Sequence, residues 1–157
     1  MENITEFAQA WIDSDPDPKT KSAGQSLLDG GDIDALQAHF GARLAFGTAG
    51  MRGKLGPGPN RMNRALVRRV AAGLGTYLLS VDAEAAADGV VIGFDGRHGS
   101  REFAADSAGI LRSMGIRVYL YDEVCATPQA PCSLQAVVAS PIHPPACAVA
   151  EQWVTTV

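Results

Sequence analysis

No two cysteines stand at a Cys-x-x-Cys spacing, and the three present, Cys125, Cys132 and Cys147, are an odd number. That pattern favours free, reduced thiols over a disulfide framework or a zinc site. No window reaches the ~18 apolar residues of a membrane-spanning helix, so no membrane partner is expected. The opening Met1-Glu2-Asn3-Ile4-Thr5-Glu6 lacks a basic n-region and an apolar run, which points to a cytoplasmic protein without a secretory signal. A basic surplus is missing as well: 13 Lys and Arg stand against 17 Asp and Glu, a net charge of -4, and a nucleic-acid partner is not expected. Nucleotide loops are not spelled either. Counting back from Gly53-Lys54 puts Thr48 where a Walker A loop has its first glycine, and Leu55 where Ser or Thr would stand. Gly56-Pro57-Gly58 is followed by Asn60 and Arg61 rather than by the third glycine of a dinucleotide fingerprint. No internal repeat is visible.

Most informative is the stretch from Phe46 to Asn63, which holds five glycines, two arginines and one lysine in eighteen residues. Glycine lets backbone N–H groups converge because no Cβ blocks φ > 0, and arginine presents a planar fork that matches phosphate oxygens. From composition alone this is either an anion cradle or a solvated connection between a strand and a helix.

A chain of 157 residues with 46% hydrophobic and 19% charged side chains suits one soluble domain with a sizeable core. Ile4, Phe7, Ala8, Trp11 and Ile12 follow helical spacing and predict an amphipathic helix over 3–12, stopped by Asp15-Pro16-Asp17-Pro18. A second helix is predicted over 22–28, ended by Gly30-Gly31, and a third, capped by Asp32, runs through Leu36 and Phe40. Leu44-Ala45-Phe46 reads as a short strand feeding the glycine loop. Asn63 is placed to cap a helix with Val67, Val70, Ala71, Leu74, Tyr77 and Leu78 on one core face. Gly73 and Gly75 inside that helix each cost about 1 kcal/mol relative to alanine, which points to close packing against a neighbour. Val90 to Phe94 reads as a buried strand, 103–114 as a helix ended by Gly115, and Ile116 to Tyr121 as the next strand. Together they predict a βαβ unit, with Asp95 and Arg97 at the C-terminal end of its first strand.

The character changes at Val124. The last 34 residues hold one charged side chain, Glu151, five of the nine prolines and all three cysteines. Pro131, Pro141, Pro144 and Pro145 forbid a long helix or central strand, and only Leu134 to Ala139 fits a short strand. An apolar but poorly patterned segment conflicts with the consistency of the rest.

Phe46 to Gly53 followed by Asn60-Arg61-Met62-Asn63 resembles the signature of the α-D-phosphohexomutases, closest to the phosphoglucomutase, phosphomannomutase and phosphopentomutase branch. Val91 to Ser100, Gly115 to Leu120 and Ala126-Thr127-Pro128 resemble further elements of that family in order, so the likeness covers residues 7 to 128. The resemblance implies a three-layer α/β/α domain with a mixed, mainly parallel sheet, preceded by N-terminal helices. It divides the chain into a helical lead-in at 1–43, a partial first domain at 44–128 and an atypical tail at 129–157.

It also implies an isomerase that moves a phosphoryl group between C1 and C6, or C1 and C5, of a hexose or pentose phosphate in carbohydrate metabolism. The route is a bisphosphorylated intermediate, with a phosphoserine and magnesium. On that basis Arg52 is the clamp on the phosphoserine, and Thr48, Gly50, Lys54 and Arg97 are phosphate-binding. For Arg97 the alternative is a surface ion pair with Asp95 or Glu102; for His98 the choice lies between general base and turn residue.

The family's Thr-Ala-Ser-His-Asn-Pro motif is missing. Ser140 is the candidate nucleophile, in a segment with Pro141-Ile142 inserted and no asparagine, twelve residues beyond Pro128 where about twenty are usual. The tail is read as a truncated or frame-shifted end. The magnesium, sugar-specificity and C-terminal phosphate loops are absent, so magnesium is not supportable by this chain alone and the chain by itself is expected to be inactive. The alternatives are a non-catalytic phosphate-binding or interaction module, or a non-functional fragment. The sequence is silent on oligomeric state.

Overall fold

The computed structural model describes residues 3–47 and 50–124. In chain order the elements are α1 (Ile4–Ser14), α2 (Pro18–Gly30), α3 (Ile33–Phe40), β1 (Phe46–Gly47), β2 (Gly50–Met51), α4 (Arg64–Val81), α5 (Ala85–Asp88), β3 (Val90–Ile92), α6 (Ser100–Ser113) and β4 (Val118–Leu120). The fold is mixed α/β, mostly helical with small sheets. Two compact units divide it: residues 3–47 with Met51–Val67, and Gly50 with residues 68–124. The tail, Ser140, the three cysteines, Ala126-Thr127-Pro128 and Thr48 lie outside the described residues.

In the first unit each helix starts where an Asx side chain can accept from the freed N–H groups. Asn3 takes the Thr5 N–H at 3.2 Å, Asp17 the Lys19 N–H at 3.0 Å and Asp32 the Ala35 N–H at 3.0 Å. The second helix begins four residues before its predicted start, because Pro18 stands at its first position, where the missing N–H costs nothing. Gly31 closes α2 in the left-handed region at φ 66. The core joins Ala8, Trp11 and Ile12 of α1 to Leu36 and Phe40 of α3 and to Ala65, with Ile4, Phe7, Leu27 and Leu28 around it. Burying a side chain such as Ile12 or Leu36 is worth about 1.5–3 kcal/mol. α1 and α2 approach closely at Gly24, where a Cβ would stand 2.9 Å from Ile12 Cγ1. The strand expected from Leu44 is confined to Phe46–Gly47, paired with Gly50–Met51.

In the second unit β3 and β4 are parallel, with Val90 opposite Val118, Val91 opposite Tyr119 and Ile92 opposite Leu120. With α6 between them they form the expected βαβ unit, though both strands are shorter than their apolar runs. Val90, Ile92, Phe94, Ala104, Ala108, Leu111 and Ile116 make its core, with Leu78 of α4 and Val118 against it. α4 and α6 are also joined by charge. Arg68 Nε and Nη2 donate to the same oxygen of the buried Asp106, at 3.0 and 2.6 Å.

Two expectations for α4 need correction. Tyr77 is 47% exposed, on the edge of the apolar stripe rather than in the core. Of its two glycines only Gly75 is packed, since a Cβ there would meet Met114 Sδ at 2.7 Å and Leu111 Cδ2 at 3.0 Å, whereas one on Gly73 would meet nothing within 4 Å. Gly73→Ala should therefore raise stability by about 1 kcal/mol. Gly75→Val should lower it by about 1–3 kcal/mol through overpacking. Urea unfolding of both variants checks this, and a shift of the same sign in the two would refute the asymmetry.

Candidate functional site

The glycine loop is built around Asn63, which is 1% exposed. Its Nδ2 donates to the carbonyls of Gly58 at 2.8 Å, Gly56 at 2.9 Å and Arg61 at 3.1 Å. Its Oδ1 accepts the Leu66 N–H at 2.8 Å, the cap that the sequence predicts. Backbone bonds close the same loop: Met62 N–H to Lys54 carbonyl at 2.9 Å, and Gly56 N–H to Met62 carbonyl at 3.2 Å. Leu44 N–H donates to the Pro59 carbonyl at 2.9 Å, and the Leu44 side chain backs Gly53, where a Cβ would come within 2.8 Å of it.

The end of α3 holds the loop from another side. Asn60 donates its N–H to the His39 carbonyl at 3.1 Å and its Nδ2 to the Ala38 carbonyl at 2.9 Å, and His39 Nδ1 lies 2.9 Å from the Pro57 carbonyl. Gly58 has φ 94, and a Cβ on it would run into the His39 carbonyl, so two constraints require glycine here. Sequence reading missed His39, placed Asn60 in the family signature without its contacts, and saw only the capping half of the Asn63 hydrogen bonds. Helix ends leave carbonyls in need of donors, but nothing in the residue order says which loop supplies them.

Arg52 and Lys54 leave this frame exposed, and among the described residues neither side chain makes a hydrogen bond or ion pair. Gly50 has φ 88 and opens β2 just before them. The result is two cations on a tied backbone, directed at no protein anion within the described residues.

At the other predicted position, in the second unit, Arg97 Nε donates to Asp95 Oδ2 at 2.6 Å and its backbone N–H to Asp95 Oδ1 at 3.0 Å. The surface ion pair with Asp95 is thus present, and it also shapes the turn. Ser100 Oγ accepts the Asp95 N–H at 3.2 Å, and Arg101 lies over the Phe94 ring at 5.7 Å. Burial alone would raise the Asp95 carboxyl, but the Arg97 N–H and guanidinium, with a smaller contribution from Ser100, outweigh it and hold it below its ordinary value of 3.8. His98 is exposed. No three His, Cys, Asp or Glu side chains gather into a metal site among the described residues. No described helix is long and apolar enough to cross a membrane.

The comparisons with known proteins agree with the loop. The phosphoglucomutase/phosphomannomutase alpha/beta/alpha domain I pattern matches residues 43–141, and the chain belongs to that family. A probable phosphoribomutase of Schizosaccharomyces pombe is 34% identical over 128 residues, covering 82% of this chain and 22% of that protein. The phosphopentomutase of Homo sapiens is 36% identical over 127 residues, 77% and 21% of the two chains. A phosphoglucomutase of Staphylococcus haemolyticus is 41% identical over 111 residues, 71% and 20%. The chain therefore spans about a fifth of the length of the curated relatives it matches. No solved structure matches it.

Asp95 gives a pH prediction. Because its carboxyl is held below 3.8 in the folded chain, its ionised form contributes stability that is complete above that value and is lost as pH falls through the lowered one. Asp95→Asn should flatten the decline of the urea midpoint on acidification below about pH 4, while leaving the shape of the profile at higher pH unchanged. Identical acid slopes in the two proteins would contradict this.

Proposed function

We propose that this chain supplies the phosphate-facing loop of a sugar-phosphate mutase, an isomerase that moves a phosphoryl group within a hexose or pentose phosphate. One observation carries the reading: Arg52 and Lys54 are exposed and without side-chain partners among the described residues, on a loop whose backbone is tied at Lys54, Gly56, Gly58 and Arg61. A guanidinium carried on a backbone that is already tied needs less reorganisation when charge builds on the equatorial oxygens of a phosphoryl group in transfer. Relatives named for phosphopentose and phosphoglucose chemistry support a sugar phosphate as the ligand.

In this reading Arg52 clamps the transferred phosphoryl group, which in the resembled family rides on a serine. Lys54 adds a second cation, and Thr48 and Gly50 are further phosphate-binding candidates of the same glycine-rich stretch. Arg97, engaged by Asp95, orders its own turn and is a further phosphate-binding candidate. Ser140 stays the candidate nucleophile. The domain reading is 1–43 lead-in, 44–128 first domain and 129–157 tail, in a cytoplasmic protein. Magnesium and the loops that select the sugar come from outside these 157 residues, in cis or from a partner, so the chain alone binds phosphate without turning it over.

Titration of inorganic phosphate into the full chain tests the site. Arg52→Ala should weaken binding about tenfold, the scale of one charge-assisted hydrogen bond. Phosphate binding unchanged by Arg52→Ala would refute the clamp. A coupled assay for glucose 1-phosphate conversion, with magnesium and a bisphosphate activator, should show no turnover. Turnover abolished by Ser140→Ala would show instead that the chain carries its own nucleophile.

A further inference from the structure

We propose that His39 is a positioning residue for the Arg52–Lys54 loop, which makes the last turn of α3 part of the phosphate site; this rests on the phosphate-facing reading of that loop. The Pro57 carbonyl only accepts, so the ring nitrogen 2.9 Å from it, Nδ1, carries the hydrogen. That carbonyl belongs to the Pro57–Gly58 peptide, so the imidazole ties this peptide to the end of α3.

Around this bond the contact is tight. Asn60 donates to the Ala38 and His39 carbonyls, and Gly58 lies against the His39 carbonyl in a conformation suited to glycine. Gly56 passes the imidazole edge, where a Cβ would stand 3.4 Å from Cε1. The far side of the loop transmits the constraint, since Gly56 is bonded to Met62 and Met62 to Lys54, two residues from Arg52. A shift of the Pro57 peptide therefore moves the backbone from which both cations project. The exposed cations need this because a long side chain on a loose loop must lose more freedom when it meets an anion.

The test compares His39→Phe, which keeps a ring but removes the donor, with His39→Asn, whose amide donates from near the Nδ1 position. Arg52→Ala is run in parallel. Inorganic phosphate is titrated into each full chain well below its thermal midpoint, so that a purely structural loss leaves the Kd alone. His39→Phe should raise the Kd about threefold to tenfold, the range of one lost hydrogen bond, and His39→Asn should stay within about twofold of the parent. If His39→Phe fails to fold, His39→Gln, whose amide sits near the Nε2 position, replaces it with the same expected loss. A parent-like Kd in the donor-less variant, or failure of His39→Asn to restore binding, overturns the inference. If Arg52→Ala also binds like the parent, the phosphate-facing reading falls as well; if only Arg52→Ala is impaired, that reading survives and the role of His39 does not.

Discussion

The buried amide of Asn63 is the constraint on which the first unit's loop depends. Its two hydrogens serve three carbonyls, those of Gly56, Gly58 and Arg61, so at least one is shared in a three-centre bond. Its oxygen starts α4 by accepting from Leu66. One side chain therefore sets the curvature of the loop and the first turn of the helix that follows. Buried carbonyls deprived of such a donor each cost about 1–3 kcal/mol, so no smaller side chain substitutes at this position. Arg52 and Lys54 inherit their place from this closure without taking part in it.

The same loop is fastened to the helical lead-in through His39, Asn60 and Leu44. The compact unit that contains it runs from α1 to the first residues of α4, so the cation-bearing segment belongs with those helices. Backbone groups at Lys54, Gly56, Gly58 and Met62 are satisfied within the protein itself.

Local rules made much of this legible. Asp32 and Asn63 were readable as caps because each precedes an apolar helical period, and the βαβ unit because buried parallel strands run continuously apolar. Asp17-Pro18 was read as a stop and is a start, since the same two residues serve either end of a helix. Gly73 and Gly75 could not be told apart, because the difference lies in Met114 and Leu111 of a distant segment. Tyr77 has the spacing of the core face but sits on its margin. At the site, Arg52 stood out through its glycine and cation neighbours. His39 did not, and Asn60 stood only in the family signature without its contacts, because the two act on main-chain carbonyls 18 and 22 residues away, and carbonyls have no sequence signature.

Amide hydrogen exchange in the parent chain and in Asn63→Asp tests the dependence of the loop on that one side chain. The aspartate keeps the oxygen that caps α4 and loses the donor to the three carbonyls. Dependence of the loop on Asn63 requires that the Met62 and Gly56 amides lose protection while the Leu66 and Tyr121 amides keep theirs, and that phosphate affinity falls with the loop. Parent-like protection at Met62 and Gly56 in Asn63→Asp, with phosphate bound as before, would contradict it.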